Sequence, residues 1–125
     1  MALGLATAIA NSILNVYRGT AWAGLTVYIK LHTGDPGAAG ANNASTVTTR
    51  NAATFNAAAA ASMTLNTLGT WTMTTTETIS HVSMWDASSA GNFLQSAALS
   101  VAQSVVNTNT LTLTTFTISY SPIAA

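Results

Sequence analysis

The sequence predicts a mainly β fold, an antiparallel β-sandwich or small barrel preceded by one N-terminal α-helix. Three observations carry that expectation. Charged residues make up 5% of the 125-residue chain, against roughly 25% in an ordinary soluble domain, and Thr, Ala, Ser and Asn fill the space. Threonine is β-branched and suits a pleated, half-wet surface. The apolar period is helical before Gly19 and becomes two from Leu25 onward. After that point short strand-like runs alternate with turn residues at close spacing, the pattern of a sandwich or barrel.

Leu5, Ile9, Ile13, Val16 and Tyr17 fall on one face of a helix. The helix is expected over Leu3 to Arg18, with Arg18 suiting the C-terminal end of the dipole and Gly19 as the stop. It has no convincing N-cap residue. Leu25, Val27, Ile29 and Leu31 then alternate with Thr26, Tyr28, Lys30 and His32, the clearest half-buried strand of the chain. Thr33-Gly34-Asp35-Pro36-Gly37 breaks it with turn chemistry, and Ala38 to Ala44 reads as a mobile loop of small residues. A weaker strand is expected over Ser45 to Phe55. The alanine tract Asn56 to Ala61 is too short to nucleate a helix and reads as small side chains at a close-packed contact.

Ser62 to Leu65 and Thr70 to Thr75 follow as short strands, the second with Trp71 and Met73 on one face. Thr78 to Asp86 and Asn92 to Ser100 form a hairpin around Ala87 to Gly91. Asn107 to Asn109 turns into a last strand, Leu111 to Tyr120. Its apolar parity shifts between Leu113 and Phe116, which implies either burial on both faces or a bulge near Thr114-Thr115. The length fits one domain, 1–125, with the helix at 3–18 and the β-sandwich at 24–120.

Composition excludes several functions. Without cysteine there is no disulfide framework and no thiolate metal site. No apolar run is long enough to span a membrane, and no Lys or Arg precedes the apolar N-terminus, so it does not read as a signal peptide. Three cations, Arg18, Lys30 and Arg50, are too few and too dispersed for nucleic acid. No cofactor-binding or phosphate loop occurs. The acids Asp35 and Asp86 sit where turns want them, and His32 and His81 lack metal-ligand spacing and read as surface or interface histidines. A hydrolase using Asp35, Asp86 or His81 has no supporting motif such as Gly-x-Ser-x-Gly. Trp71 and Trp85 read as core bulk, while Trp22, between helix and first strand, fits either core or interface.

Three segments resemble a family of small bacteriophage virion proteins described as head-decoration or tail-fibre-like. They are Val27-Tyr28-Ile29-Lys30-Leu31-His32-Thr33-Gly34-Asp35-Pro36-Gly37, Thr49-Arg50-Asn51-Ala52-Ala53-Thr54-Phe55, and Ile79-Ser80-His81-Val82-Ser83-Met84-Trp85-Asp86-Ala87 followed by Gly91-Asn92-Phe93-Leu94. Thr49 stands where the family pattern carries an aromatic residue before Ala-Arg. The order and spacing of the three segments carry the resemblance, which runs over most of the chain. It implies a non-enzymatic structural role in the virion and brings no catalytic residues with it.

Two roles follow as expectations. The first is a capsid decoration protein, made in the host cytoplasm and placed on the capsid surface, which cements the major capsid protein and forms homo-oligomers such as trimers. Near-neutral surfaces let copies tile without repulsion. The alternative is a tail or head fibre binding host glycans through an aromatic such as Trp22. Leu5, Ile9, Ile13, Tyr17, Trp22 and Asp35 are the candidate interface residues.

Overall fold

The computed structural model describes residues 4–20 and 25–119. The chain is mainly β, a curled antiparallel sheet with one short helix. In chain order the elements are β1 (Gly4–Leu5), α1 (Thr7–Val16), β2 (Val27–His32), β3 (Asn51–Phe55), β4 (Ser62–Leu68), β5 (Trp71–Thr72), β6 (Glu77–Trp85), β7 (Phe93–Val105), β8 (Thr110–Leu111) and β9 (Thr117–Ser119). Seven strands form one sheet in the order β1-β7-β6-β2-β3-β4-β9, and β5 pairs with β8 in a second, two-stranded sheet.

The helix is shorter than its apolar period suggests. Gly4 and Leu5 pair with Ser96 and Gln95 of β7, and α1 begins only at Thr7, after Ala6. Ala6 offers no side-chain cap, and no residue of α1 is fully buried. Leu5 extends the helical stripe by coincidence: as a strand residue it lines the same groove as Ile9 and Ile13.

The centre of the sheet is β2 between β3 and β6. Val27, Ile29 and Leu31 point to one face and join Trp71, Met73, Ile79, Val82, Met84, Leu94 and Val105 in the core. The predicted alternation is therefore present, yet the other face of β2 is also covered. The 6–7 hairpin is longer than expected because β7 runs on to Val105. Its register against β6 slips between Ile79 and His81 and again between Met84 and Trp85, which lets a long strand curl.

Two expectations are corrected at the second sheet and the alanine tract. The last strand is two strands: Leu111 pairs with Trp71 in β5–β8, whereas Thr117 to Ser119 pair with β4. The parity shift marks the crossing from one sheet to the other. Tyr120 lies outside the described residues. The alanine tract is not buried in the core. Ala57 to Ala61 are exposed, and Ala60 and Ala61, at φ 51° and 60°, form the centre of a tight turn closed by Ala59 and Ser62. Positive φ at both central residues is the type I′ geometry whose twist suits a hairpin. The weak strand expected from Ser45 begins only at Asn51; Ser45 and Thr46 are instead tied to the Glu77 carboxylate.

Candidate functional surfaces

On the face of β2 opposite the core, the three sequence segments quoted above converge. His32 is fully buried, which corrects its reading as a surface or interface residue. The strand alternation does point it away from the core, but the loop Thr33 to Asn43 folds back over it, closed by a bridge between His32 and Ala44. His32 Nδ1 lies 2.8 Å from the Asn42 carbonyl, and Nε2 lies 2.7 Å from Ser83 Oγ. A carbonyl only accepts, so Nδ1 carries the proton and Nε2 accepts from the Ser83 hydroxyl. Ser83 Oγ in turn accepts from Trp85 Nε1 at 2.8 Å. The result is a fully satisfied neutral relay, Trp85 to Ser83 to His32 to Asn42. Burial lowers the His32 pKa, against the opposing pull of the Asn42 carbonyl, with smaller repulsion from Lys30 and His81.

The loop that covers this relay is held by its own chemistry. Asp35 Oδ1 accepts from Gly37 N–H at 2.8 Å, Asn43 Nδ2 donates to the Asp35 carbonyl, and Asn42 N–H donates to the Pro36 carbonyl. Pro36 is buried. Gly40, at φ 68°, sits so near Phe93 that a Cβ there would clash with the ring. Phe93 packs on Trp85 at 5.6 Å between ring centroids. The Arg50 guanidinium lies 3.8 Å above the Trp85 ring and donates to the carbonyls of Ala87 and Ala90. Asp86 accepts from both the backbone and the side chain of Asn92, which lowers its pKa. Burial, then Arg50, lowers the Lys30 pKa.

A Ser–His pair at hydrogen-bond distance invites comparison with a nucleophile and its base. The geometry argues otherwise. Ser83 is fully buried, its oxygen is capped by the Trp85 indole, and the histidine is oriented by a backbone carbonyl where a triad has a carboxylate. Asp35 and Asp86 are occupied in local turns, as their positions suggested. His81 is bonded to the neighbouring Ser80 at 2.8 Å. Among the described residues, no group of three His, Asp or Glu side chains could hold a metal ion. Among the described residues, no helix is long and apolar enough to cross a membrane.

The second surface is the helix and what lies beneath it. Leu5, Ile9 and Ile13 line an open, almost wholly apolar groove of about 430 Å³, together with Val27, Met84 and Leu94. Tyr17 is at the helix C-terminus, 89% exposed, and Leu14 and Val16 are also exposed. Thus four of the six candidate interface residues cluster along this arm. Asp35 belongs to the loop on the other face of the sheet, and Trp22 lies outside the described residues. Trp71, 2% exposed, belongs to the core as its reading expects; Trp85, 9% exposed, is buried too, but on the opposite face of the sheet under Arg50 and Phe93.

Residues 4–121 match the family model of Podophage GP4 fiber I protein gp80. The chain belongs to this family. It is thereby a phage virion structural protein of a fibre family. No curated protein matches it. The segments that carried the resemblance build the joint between the loop Thr33 to Asn43, Arg50 and the 6–7 hairpin. No one of these segments shows by itself that they meet. Their order in the chain could not reveal it, because the partners lie 51 residues apart from His32 to Ser83.

Proposed function

We propose that the chain is a non-enzymatic, multi-copy subunit of a virion fibre whose work is to bind other protein. The observation that carries this reading is α1. Ten residues long and uncharged, with apolar residues at six of its positions, it has no residue fully buried, and its own Leu14 and Val16, with Tyr17 at its C-terminal end, are exposed. A helix with that composition is stable when another protein surface covers it.

The sequence alone favours capsid decoration over a fibre; the family match supports the fibre reading. A glycan-stacking tip fits less well than a structural joint, because Trp71 and Trp85 offer no open ring face among the described residues. Locating tagged chains on the particle by electron microscopy tests the proposal. Copies confined to fibres support it. Hundreds of copies over the head shell, in contact with the major capsid protein, would instead establish the decoration role.

A further inference from the structure

We propose that the β1–α1 arm is exchanged between copies, so that the arm of one chain seats on β7 and in the apolar groove of a second. This rests on the structural-subunit reading only for the presence of neighbouring copies.

The arm is held to the sheet by little. Gly4 and Leu5 pair with Ser96 and Gln95, Ala6 N–H donates to the Leu94 carbonyl at 2.7 Å, and Ile9 and Ile13 overhang the groove. The groove is not filled by its own helix, and every residue of α1 keeps some exposure. The groove already takes Leu5, Ile9 and Ile13 in the strand register of this sequence. A second copy brings the same side chains and the same backbone donors and acceptors. Exchange therefore keeps every present contact and sets two copies side by side. An identical element traded between protomers is a low-cost route to assembly.

Charge favours the same occupant. The chain carries no Asp, Glu, Lys or Arg before Arg18 and none after Asp86. The arm, the β7 edge it pairs with and the groove lining are all uncharged, so copies approach with no repulsion between these surfaces. Nothing there would select a charged foreign partner.

The absence of cysteine allows a direct test. Leu5 and Gln95 oppose each other, and the adjoining Ala6–Leu94 bond makes them a non-hydrogen-bonded pair. Such pairs have the closer Cα spacing, about 4.5 Å, within the disulfide range of about 4.4–6.8 Å. The full chain with Leu5→Cys and Gln95→Cys is oxidised in dilute solution and run on denaturing, non-reducing gels. Exchange predicts bands at two or more chain masses that collapse on reduction. Linked material at single-chain mass alone overturns the proposal, as do free thiols in a chain with native circular dichroism. Should the double variant misfold, co-expression of Leu5→Cys chains with Gln95→Cys chains decides the matter. Neither can close a bond within itself, so a mixed disulfide supports exchange and its absence refutes it. None of these readouts involves the particle, so failure here leaves the fibre role standing.

Discussion

Substituting Ser83→Ala removes one hydroxyl and should cost far more than one hydrogen bond. The oxygen accepts from Trp85 Nε1 at 2.8 Å and its proton goes to His32 Nε2 at 2.7 Å. Both partners are buried, and no buried side-chain nitrogen or oxygen among the described residues lacks a partner. Alanine leaves a donor and an acceptor stranded at once. Each orphan costs about 1–3 kcal/mol, and slight relaxation of the Trp85 ring recovers part of it, so the loss should be about 2–4 kcal/mol. For a chain of this length that is roughly 8–15 °C in Tm. Urea unfolding followed by tryptophan fluorescence, at fixed protein concentration because association also stabilises, gives the number. Ser80→Ala is the control: it removes a bond to the half-exposed His81 and should cost under about 0.5 kcal/mol. If Ser83→Ala unfolds as late as Ser80→Ala, the relay is not what holds the loop to the hairpin.

Acid should weaken the same joint. The folded His32 pKa is lowered, so below about pH 6.5 the unfolded chain takes up a proton that the folded chain refuses, and stability falls by up to about 1.4 kcal/mol per pH unit until the folded pKa is passed. His32→Gln should flatten that slope in urea midpoints measured between about pH 6.5 and 5, a window that lies above the Asp86 titration. Ala60→Asn with Ala61→Gly should stabilise by about 1–2 kcal/mol, because asparagine and glycine tolerate the positive φ that alanine adopts here at a cost; a fall in Tm would show that the turn is not type I′. Arg50→Lys should cost about 1–2 kcal/mol through loss of the flat ring contact and the paired carbonyl bonds. Faster amide exchange within Ala87 to Asn92 is its signature, and unchanged exchange would mean that Arg50 does not brace the loop.

Much of this architecture was legible from the residues, and the misses share a cause. Alternation placed Val27, Ile29 and Leu31 in the core and paired the 6–7 hairpin, since those are local consequences of a two-residue period. The four-residue spacing of Leu5 to Ile9 predicts helix, yet Leu5 is a strand residue whose side chain lines the same groove, and spacing alone does not distinguish the two there. The break between Leu111 and Thr117 was felt as a parity shift, but only pairing partners could show that the two halves serve different sheets. His32 was expected to be accessible because periodicity sees the strand and not the loop that returns over it. Of the candidate interface, Leu5, Ile9, Ile13 and Tyr17 were found as one helical stripe, while the convergence of His32, Arg50, Ser83 and Trp85 is a tertiary fact that no local window contains.

The six charges acquire a common logic from this geometry. Asp35 fixes its turn, Glu77 holds Ser45 and Thr46, Asp86 closes the 6–7 loop on Asn92, Arg50 braces that loop against Trp85, and Arg18 bonds Asn15 at the helix end. Five of the six are thus used as local braces, which removes them as guards on the sheet margins. Sheets usually place charge on exposed edges to prevent pairing with other chains. Here β1, β4, β7 and β9 carry none, nor does the helix beside them. A free monomer would be poorly served by such edges, since they invite association that charge would otherwise oppose. A fibre subunit is well served, because its charges can keep loops rigid while its margins stay compatible with neighbouring chains. The charge deficit is therefore a matter of placement as much as of number.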